Sequence, residues 1–98
     1  MTSDFPAPYG VKLMVKYEAA HIEVVRLVVV DGLRGQGRGT RAMRALQKLG
    51  RTIRLTAVPE RRKKNALHRF YQRLGFRPVQ TNRLGEVEFS WQPKNPKS

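Results

Sequence analysis

The residues best suited to chemistry are Arg34-Gly35-Gln36-Gly37-Arg38-Gly39, a glycine-rich turn between an apolar stretch and an amphipathic one. Glycines let a backbone come close to an oxyanion and adopt φ > 0 where needed. The first N–H groups of a following helix have no intrahelical partner, and the helix dipole places partial positive charge there. Successive N–H groups can form a concave nest for phosphate oxygens. Arg34 and Arg38 add charge beside it. The turn is not a P-loop, because no Gly-Lys-Ser/Thr follows, and its glycines at 35, 37 and 39 lack dinucleotide spacing. By spacing alone it is a generic anion site. A tight turn that needs small residues, or a Gly-Arg patch touching RNA, are the competing readings.

The elements around the turn decide how it is held. Residues 1–10 contain two prolines and a glycine and read as an irregular arm. Val11, Leu13, Val15 and Tyr17 alternate with Lys12, Met14 and Lys16, the period of a half-buried strand. Residues 21–30 are richer in β-branched residues and read as a central strand covered on both faces. After the turn, Ala42, Ala45, Leu46 and Leu49 recur at helical spacing over about 38–49, and Gly50 ends the helix. Ile53, Leu55 and Ala57 alternate as a third strand. A second helix places Leu67, Phe70, Tyr71 and Leu74 on one face, with Asn65 as its N-cap, His68 on its outer side and Gly75 past its end. Phe76–Gln80 and Leu84–Trp91 complete the pattern as strands. The order is β-β-α-β-α-β-β, an α/β (α+β) single domain over residues 11–91 with a mixed sheet, two helices packed on it, and a basic mobile tail at 92–98.

Twenty Lys and Arg against seven Asp and Glu give a formal net charge of +13. Such a surface concentrates polyanions, and nucleic acid, an anionic membrane and a polyphosphate cofactor all fit it, beside the plain reading of an arginine-rich solvated surface. There are no cysteines, which removes disulfides, thiolate catalysis and cysteine zinc sites. With two histidines and no clustered carboxylates, no metal site is expected. No leader-like segment opens the chain, and the run Leu27–Val30 is far short of the ~20 residues that cross a membrane. The expected location is cytoplasmic, without membrane contact.

Two segments together resemble one family. Leu27-Val28-Val29-Val30-Asp31-Gly32-Leu33 leading into Arg34–Gly39 is similar to the acetyl-coenzyme A signature of GNAT-superfamily N-acetyltransferases. Asn65 through Tyr71 to Gly75-Phe76 resembles that family's later helix, in the right order and one strand further on. The resemblance implies a GNAT-like fold in which two central strands splay and the pantetheine arm lies between them. It implies that backbone groups of Leu27, Val28 and Val29 pair with the pantetheine amides. Backbone N–H groups from Gly35, Gln36, Gly37, Arg38 and Gly39 to Thr40 would hold the pyrophosphate. Asn65 would bond the pantetheine arm or its neighbourhood. A backbone N–H near Val29 would stabilise the oxyanion. The basic loop Arg61–Lys64 would meet the ribose 3′-phosphate by charge matching alone.

The same resemblance gives Tyr71 the role of general acid toward the departing thiolate. An unperturbed phenol, with a pKa of about 10, is near enough to a thiol to share a proton. As a residue on an apolar stripe, Tyr71 is equally read as packing. The usual position for a carboxylate base holds Val25, so Glu23 is the candidate base, with His21 on the same face, and a water-borne proton path is the alternative. Glu86 and Glu88 either line an acceptor site or blunt a sheet edge. Relatives usually carry a further strand and two helices before the first alternating strand, and those helices wall the acceptor site. Here the ten-residue arm stands in their place. The missing wall leaves three arrangements: a large acceptor bringing its own surface, a second subunit in a homodimer, or acyl-CoA binding with little catalysis. The expected activity is acetyl transfer to an amine on a protein, peptide or other large acidic acceptor. The alternative is a non-enzymatic basic scaffold that grips nucleic acid or an acidic protein.

Overall fold

A computed structural model describes residues 1–30, 37–58 and 64–93. Its elements are β1 (Thr2–Phe5), β2 (Val11–Tyr17), β3 (Ile22–Val29), α1 (Arg38–Gln47), β4 (Ile53–Ala57), α2 (Lys64–Arg73), β5 (Arg77–Thr81) and β6 (Val87–Trp91). The expected order holds from Val11 onward. The arm is not wholly irregular: Thr2–Phe5 pairs antiparallel with β2 as an extra edge strand. Its polar sequence, Thr-Ser-Asp-Phe, has no apolar alternation to announce it, because only Phe5 packs against the core.

The strands form one mixed sheet in the order β1-β2-β3-β4-β6-β5. β3 and β4 are parallel, and the other neighbours are antiparallel. The crossovers β3-α1-β4 and β4-α2-β5 step the same way across the sheet, so right-handed connections put both helices on one face. Leu13, Val15, Ile22, Val24, Ile53, Leu55 and Phe89 meet Ala42, Met43, Leu46, Tyr71 and Leu74 there in a single core. The opposite face carries no helix among the described residues, and Lys12, Lys16, Glu23, Arg54 and Thr56 lie exposed on it. The run at 21–30 is therefore covered on one face only, not on both.

α1 ends sooner than its periodicity suggested. Its buried residues are Gly39, Ala42, Met43, Leu46 and Gln47, while Leu49 lies in the following turn, 47% exposed. Gln47 tolerates burial because its amide donates to the Leu74 carbonyl at 2.8 Å and its oxygen accepts from Arg44 at 3.0 Å. This satisfies a carbonyl at the C-terminus of α2 and joins the two helices. α2 itself stops in a Schellman motif. The Phe76 N–H donates to Tyr71 C=O and the Gly75 N–H to Gln72 C=O, with Gly75 at φ 90°. A Cβ at Gly75 would also meet the Trp91 ring at 3.2 Å.

The two edges differ. β5 carries Pro78, which has no N–H to offer, and a bulge at Val79. β1 has neither device. No helix among the described residues is long and apolar enough to cross a membrane.

Candidate active site

The central feature is a fork in the sheet. β3 and β4 share register only at Ile22↔Ile53, Glu23↔Arg54 and Val24↔Leu55. Beyond that, β3 runs on to Val29 beside β2, and β4 runs on to Ala57 beside β6, without pairing to each other. The cause lies in β3. Val24 pairs with Val15 and Arg26 with Met14, so Val25 is an extra, bulged residue. A bulge bends its strand and steepens the local twist, which swings β3 away from β4 just past their last shared pair. It also resets the alternation. Ile22 and Val24 face the helices before it, and Leu27 and Val29 do so after it.

α1 starts at the open end of the fork. Its N-cap is Gly37, in the left-handed region at φ 74°, and no side chain caps the helix. The first bond closing the helix is Arg41 N–H to Gly37 C=O at 3.0 Å, so the Gly39 and Thr40 amides precede it. The first turn holds no acidic residue to offset the dipole's positive end. Gly39 is buried against Val29 and Phe70, where an added Cβ would lie 3.4 and 3.5 Å from them. Thus β3, α1 and α2 converge at this point. Arg34, Gly35 and Gln36 lie outside the described residues, as does the proposed phosphate loop at 61–63.

Arg38 also braces the start of the helix. Its guanidinium donates to the Tyr9 carbonyl at 3.1 Å, which ties the start of α1 to the turn before β2. Asn65 lies within α2 rather than capping it, and its side chain is exposed. His68 is turned inward, not outward. Its ring meets Phe89 edge-on at 5.3 Å, and its Nε2 is buried without a hydrogen-bond partner. Contact with Phe89 of β6 thus reaches beyond the apolar stripe to its flank.

Tyr71 is 6% exposed and packed among Phe70, Phe76 and Phe89, with ring centroids 5.2, 5.7 and 5.6 Å away. Burial pushes its phenol up to about 12. No described residue hydrogen-bonds its hydroxyl. Among the described residues the fully buried polar side-chain atom left without a partner is Nε2 of His68, so the Tyr71 hydroxyl keeps some contact with solvent. Glu23 lies on the other face of the sheet. It is exposed, one pair before the fork, with His21 Nε2 at 3.9 Å. The structure brings His21 and Glu23 together, as the shared face required. It does not bring Glu23 and Tyr71 onto one face.

Sequence reasoning missed the bulge at Val25 and the contact of Phe70 with Gly39. The signal for the bulge was Arg26, a charge inside an apolar run, where two successive residues point away from the core. Nothing in the sequence marked Phe70 apart from its neighbours.

Comparisons with known proteins fit this geometry. A sequence profile of the acetyltransferase (GNAT) domain matches residues 8–78. No protein of curated function matches the chain significantly. Among solved structures, the anti-CRISPR protein AcrVA5 superposes with a TM-score of 0.74 at 18% identity, covering 93% of this chain and 98% of that one. The PaiA N-acetyltransferase from Thermoplasma acidophilum, solved with coenzyme A, gives 0.71 at 18% identity, with 84% of this chain covering 52% of that one. NAA60 from Arabidopsis thaliana, solved with acetyl-CoA, gives 0.66 at 16% identity over 85% of this chain and 65% of that one. The chain thus spans nearly all of AcrVA5 but only about half of PaiA. At these identities the superpositions speak for the fold, and the profile, matched over most of the chain, speaks for descent: the chain belongs to the GNAT acetyltransferase family.

Proposed function

We propose that this protein is an acetyl-CoA-dependent N-acetyltransferase acting on an amine of a large, acidic acceptor such as a protein. The observation that carries the reading is the fork between β3 and β4 at the uncapped N-terminus of α1. A split sheet offers an extended ligand two strand margins that do not pair with each other, and the helix terminus offers its phosphates amides with no intrahelical partner. The residues present fit acetyl-CoA on those grounds. The β3 segment Leu27–Val29 would align the pantetheine arm, and Gly37, Gly39 and Thr40 would meet the pyrophosphate through their backbone. Acetyl-CoA supplies the activated acetyl group as its thioester.

The reaction forms a C–N bond and breaks a C–S bond. The neutral amine attacks the thioester carbonyl, an oxyanion forms and collapses, and the thiolate departs. The fork gives the two faces of the sheet distinct duties. Tyr71, on the helix side, would donate a hydrogen bond to the departing sulfur. With its phenol pushed up to about 12, above the ordinary range of an alkyl thiol, full proton transfer to the departing thiolate is uphill. Tyr71 therefore acts as a hydrogen-bond donor to developing charge, and solvent completes protonation of the sulfur. The acceptor would approach from the helix-free face, where Glu23 would accept the amine's proton. No described element covers that face, which suits an acceptor that brings its own surface.

Isothermal titration with acetyl-CoA tests the reading directly. Saturable binding at near-physiological salt is expected, and thiol release on adding a protein acceptor should follow. Absence of binding would overturn it.

A further inference from the structure

The acidic residues of this chain all lie outside its two helices. α1 carries Arg38, Arg41 and Arg44, with Lys48 at its C-cap, and α2 carries Arg69 and Arg73. Neither helix has an acid in its first turn, where the dipole favours one. Arg41–Arg44, Arg44–Lys48 and Arg69–Arg73 are like-charged neighbours at three- or four-residue spacing, each of which weakens a helix. Among the described residues, Arg41, Arg44, Lys48, Arg69 and Arg73 have no carboxylate within ion-pair distance. Arg44, Lys48 and Arg73 suit the C-terminal ends of the helices, and Arg44 also bonds the Arg73 carbonyl, but among the described residues Arg41 and Arg69 serve neither purpose and add like-charge repulsion.

The cations share one surface. The buried residues of α1 turn Arg41, Arg44 and Lys48 outward, and Arg69 and Arg73 are exposed on α2. Arg44 spans the seam, donating to Gln47 Oε1 at 3.0 Å and to the Arg73 carbonyl at 3.4 Å, so the two rows meet. Arg41 and Lys48 stand about 10 Å apart along α1. Between and beside them are polar Thr40, Asn65 and Gln72.

The composition of the surface selects the partner. Protein interfaces centre on apolar and aromatic anchors. On this face the exposed large apolar residue is Leu49, beyond the end of α1. Single-stranded nucleic acid is held by aromatic stacking platforms, and neither helix exposes an aromatic ring here. Contacts to a duplex backbone need what is present: Arg and Lys, with Asn, Gln and Thr among them. We propose that the outer face of the helix layer docks on the phosphodiester backbone of double-helical nucleic acid, without regard to base sequence. This surface adjoins the fork at Thr40 and Asn65, but its cations lie on the outer side of the helices and it does not depend on acetyl transfer.

The test is fluorescence anisotropy of the full chain with labelled 20-base-pair DNA and RNA duplexes, from 50 to 200 mM salt. Five cations in contact should give a slope of log K against log salt of about −4.5. Arg41→Gln, Lys48→Gln and Arg69→Gln should each flatten that slope by about 0.9 and weaken binding about eightfold at 0.1 M salt. Lys12→Gln and Arg54→Gln remove the same charge from the helix-free face and should leave the curve in place. Equal loss in those controls would show mere bulk attraction and overturn the proposal. So would equal affinity for a single strand of the same length or for polyglutamate, or binding to neither duplex. Circular dichroism of each variant checks that the exposed substitutions leave the fold intact. All measurements are made without acetyl-CoA, so their failure leaves the acetyltransferase reading standing.

Discussion

Removing one oxygen from Tyr71 separates its two duties. Tyr71→Phe keeps the ring against Phe70, Phe76 and Phe89 and deletes only the hydroxyl. That hydroxyl is bonded to no described residue, so its loss leaves no partner orphaned. Stability at neutral pH should be unchanged or rise by up to about 1 kcal/mol. High pH gives a second readout. An unfolded tyrosine releases its proton near 10, whereas the folded one holds it to about 12. Between those values the unfolded chain binds fewer protons, so stability falls as pH rises through the window. The wild type should lose roughly 3 kcal/mol more than Tyr71→Phe between pH 10 and 12. Denaturant titrations of both proteins across that range measure it. Catalysis is the third readout. A donor aimed at developing charge is worth about 10²-fold or more in kcat, with little change in KM for acetyl-CoA. Thiol-release assays on the two proteins provide the comparison. An unchanged kcat together with the expected alkaline difference would refute the catalytic assignment and leave Tyr71 as packing alone.

Other perturbations probe the frame. Gly37→Ala forces a side chain into left-handed backbone and should cost about 1–2 kcal/mol while weakening acetyl-CoA binding in calorimetry. Gly39→Ala meets Val29 and Phe70 only at ordinary contact distance, so its stability should hold or rise by about 1 kcal/mol, as thermal melts would show. Gln47→Ala strips a donor from the Leu74 carbonyl and should destabilise by about 1–3 kcal/mol in urea unfolding. Glu23→Gln should lower kcat with KM for acetyl-CoA unchanged if Glu23 takes the amine's proton; an unaltered pH–rate profile would return that step to water.

The parts of the fold legible in the sequence are those where one physical signal dominated. Leu13 and Val15 against Lys12 and Lys16, or Ile53, Leu55 and Ala57 in β4, alternate because one face of the sheet is buried and the other is wet. The Gly75-Phe76 stop was legible because a Schellman turn demands a residue at positive φ. The apolar run at 21–30 misled, because five valines and a leucine look the same whether covered on two faces or bulged and covered on one. β1 escaped because its stability comes from backbone pairing with β2, and backbone pairing leaves no mark on side-chain type. In the site, Tyr71 could be named through the family resemblance, since spacing alone placed it on an apolar stripe, and the glycine turn by its residue types. Their division between opposite faces from Glu23 could not, since it depends on where the sheet splits. Burial of His68 beside Phe89 was likewise invisible, because the wheel of α2 does not say how deeply that helix beds on β6.

The unequal edges of the sheet set an arithmetic for self-association. With Pro78 and the Val79 bulge spoiling the outer margin of β5, a second sheet finds hydrogen-bonding continuity only along β1. Strand-to-strand joining at β1 would be two-fold, each copy offering the same margin, and would consume the margin it uses. Growth by that route therefore stops at a pair. A protein this basic can be concentrated on a polyanion without its sheets propagating into a fibre, since each copy has one open seam and one closed.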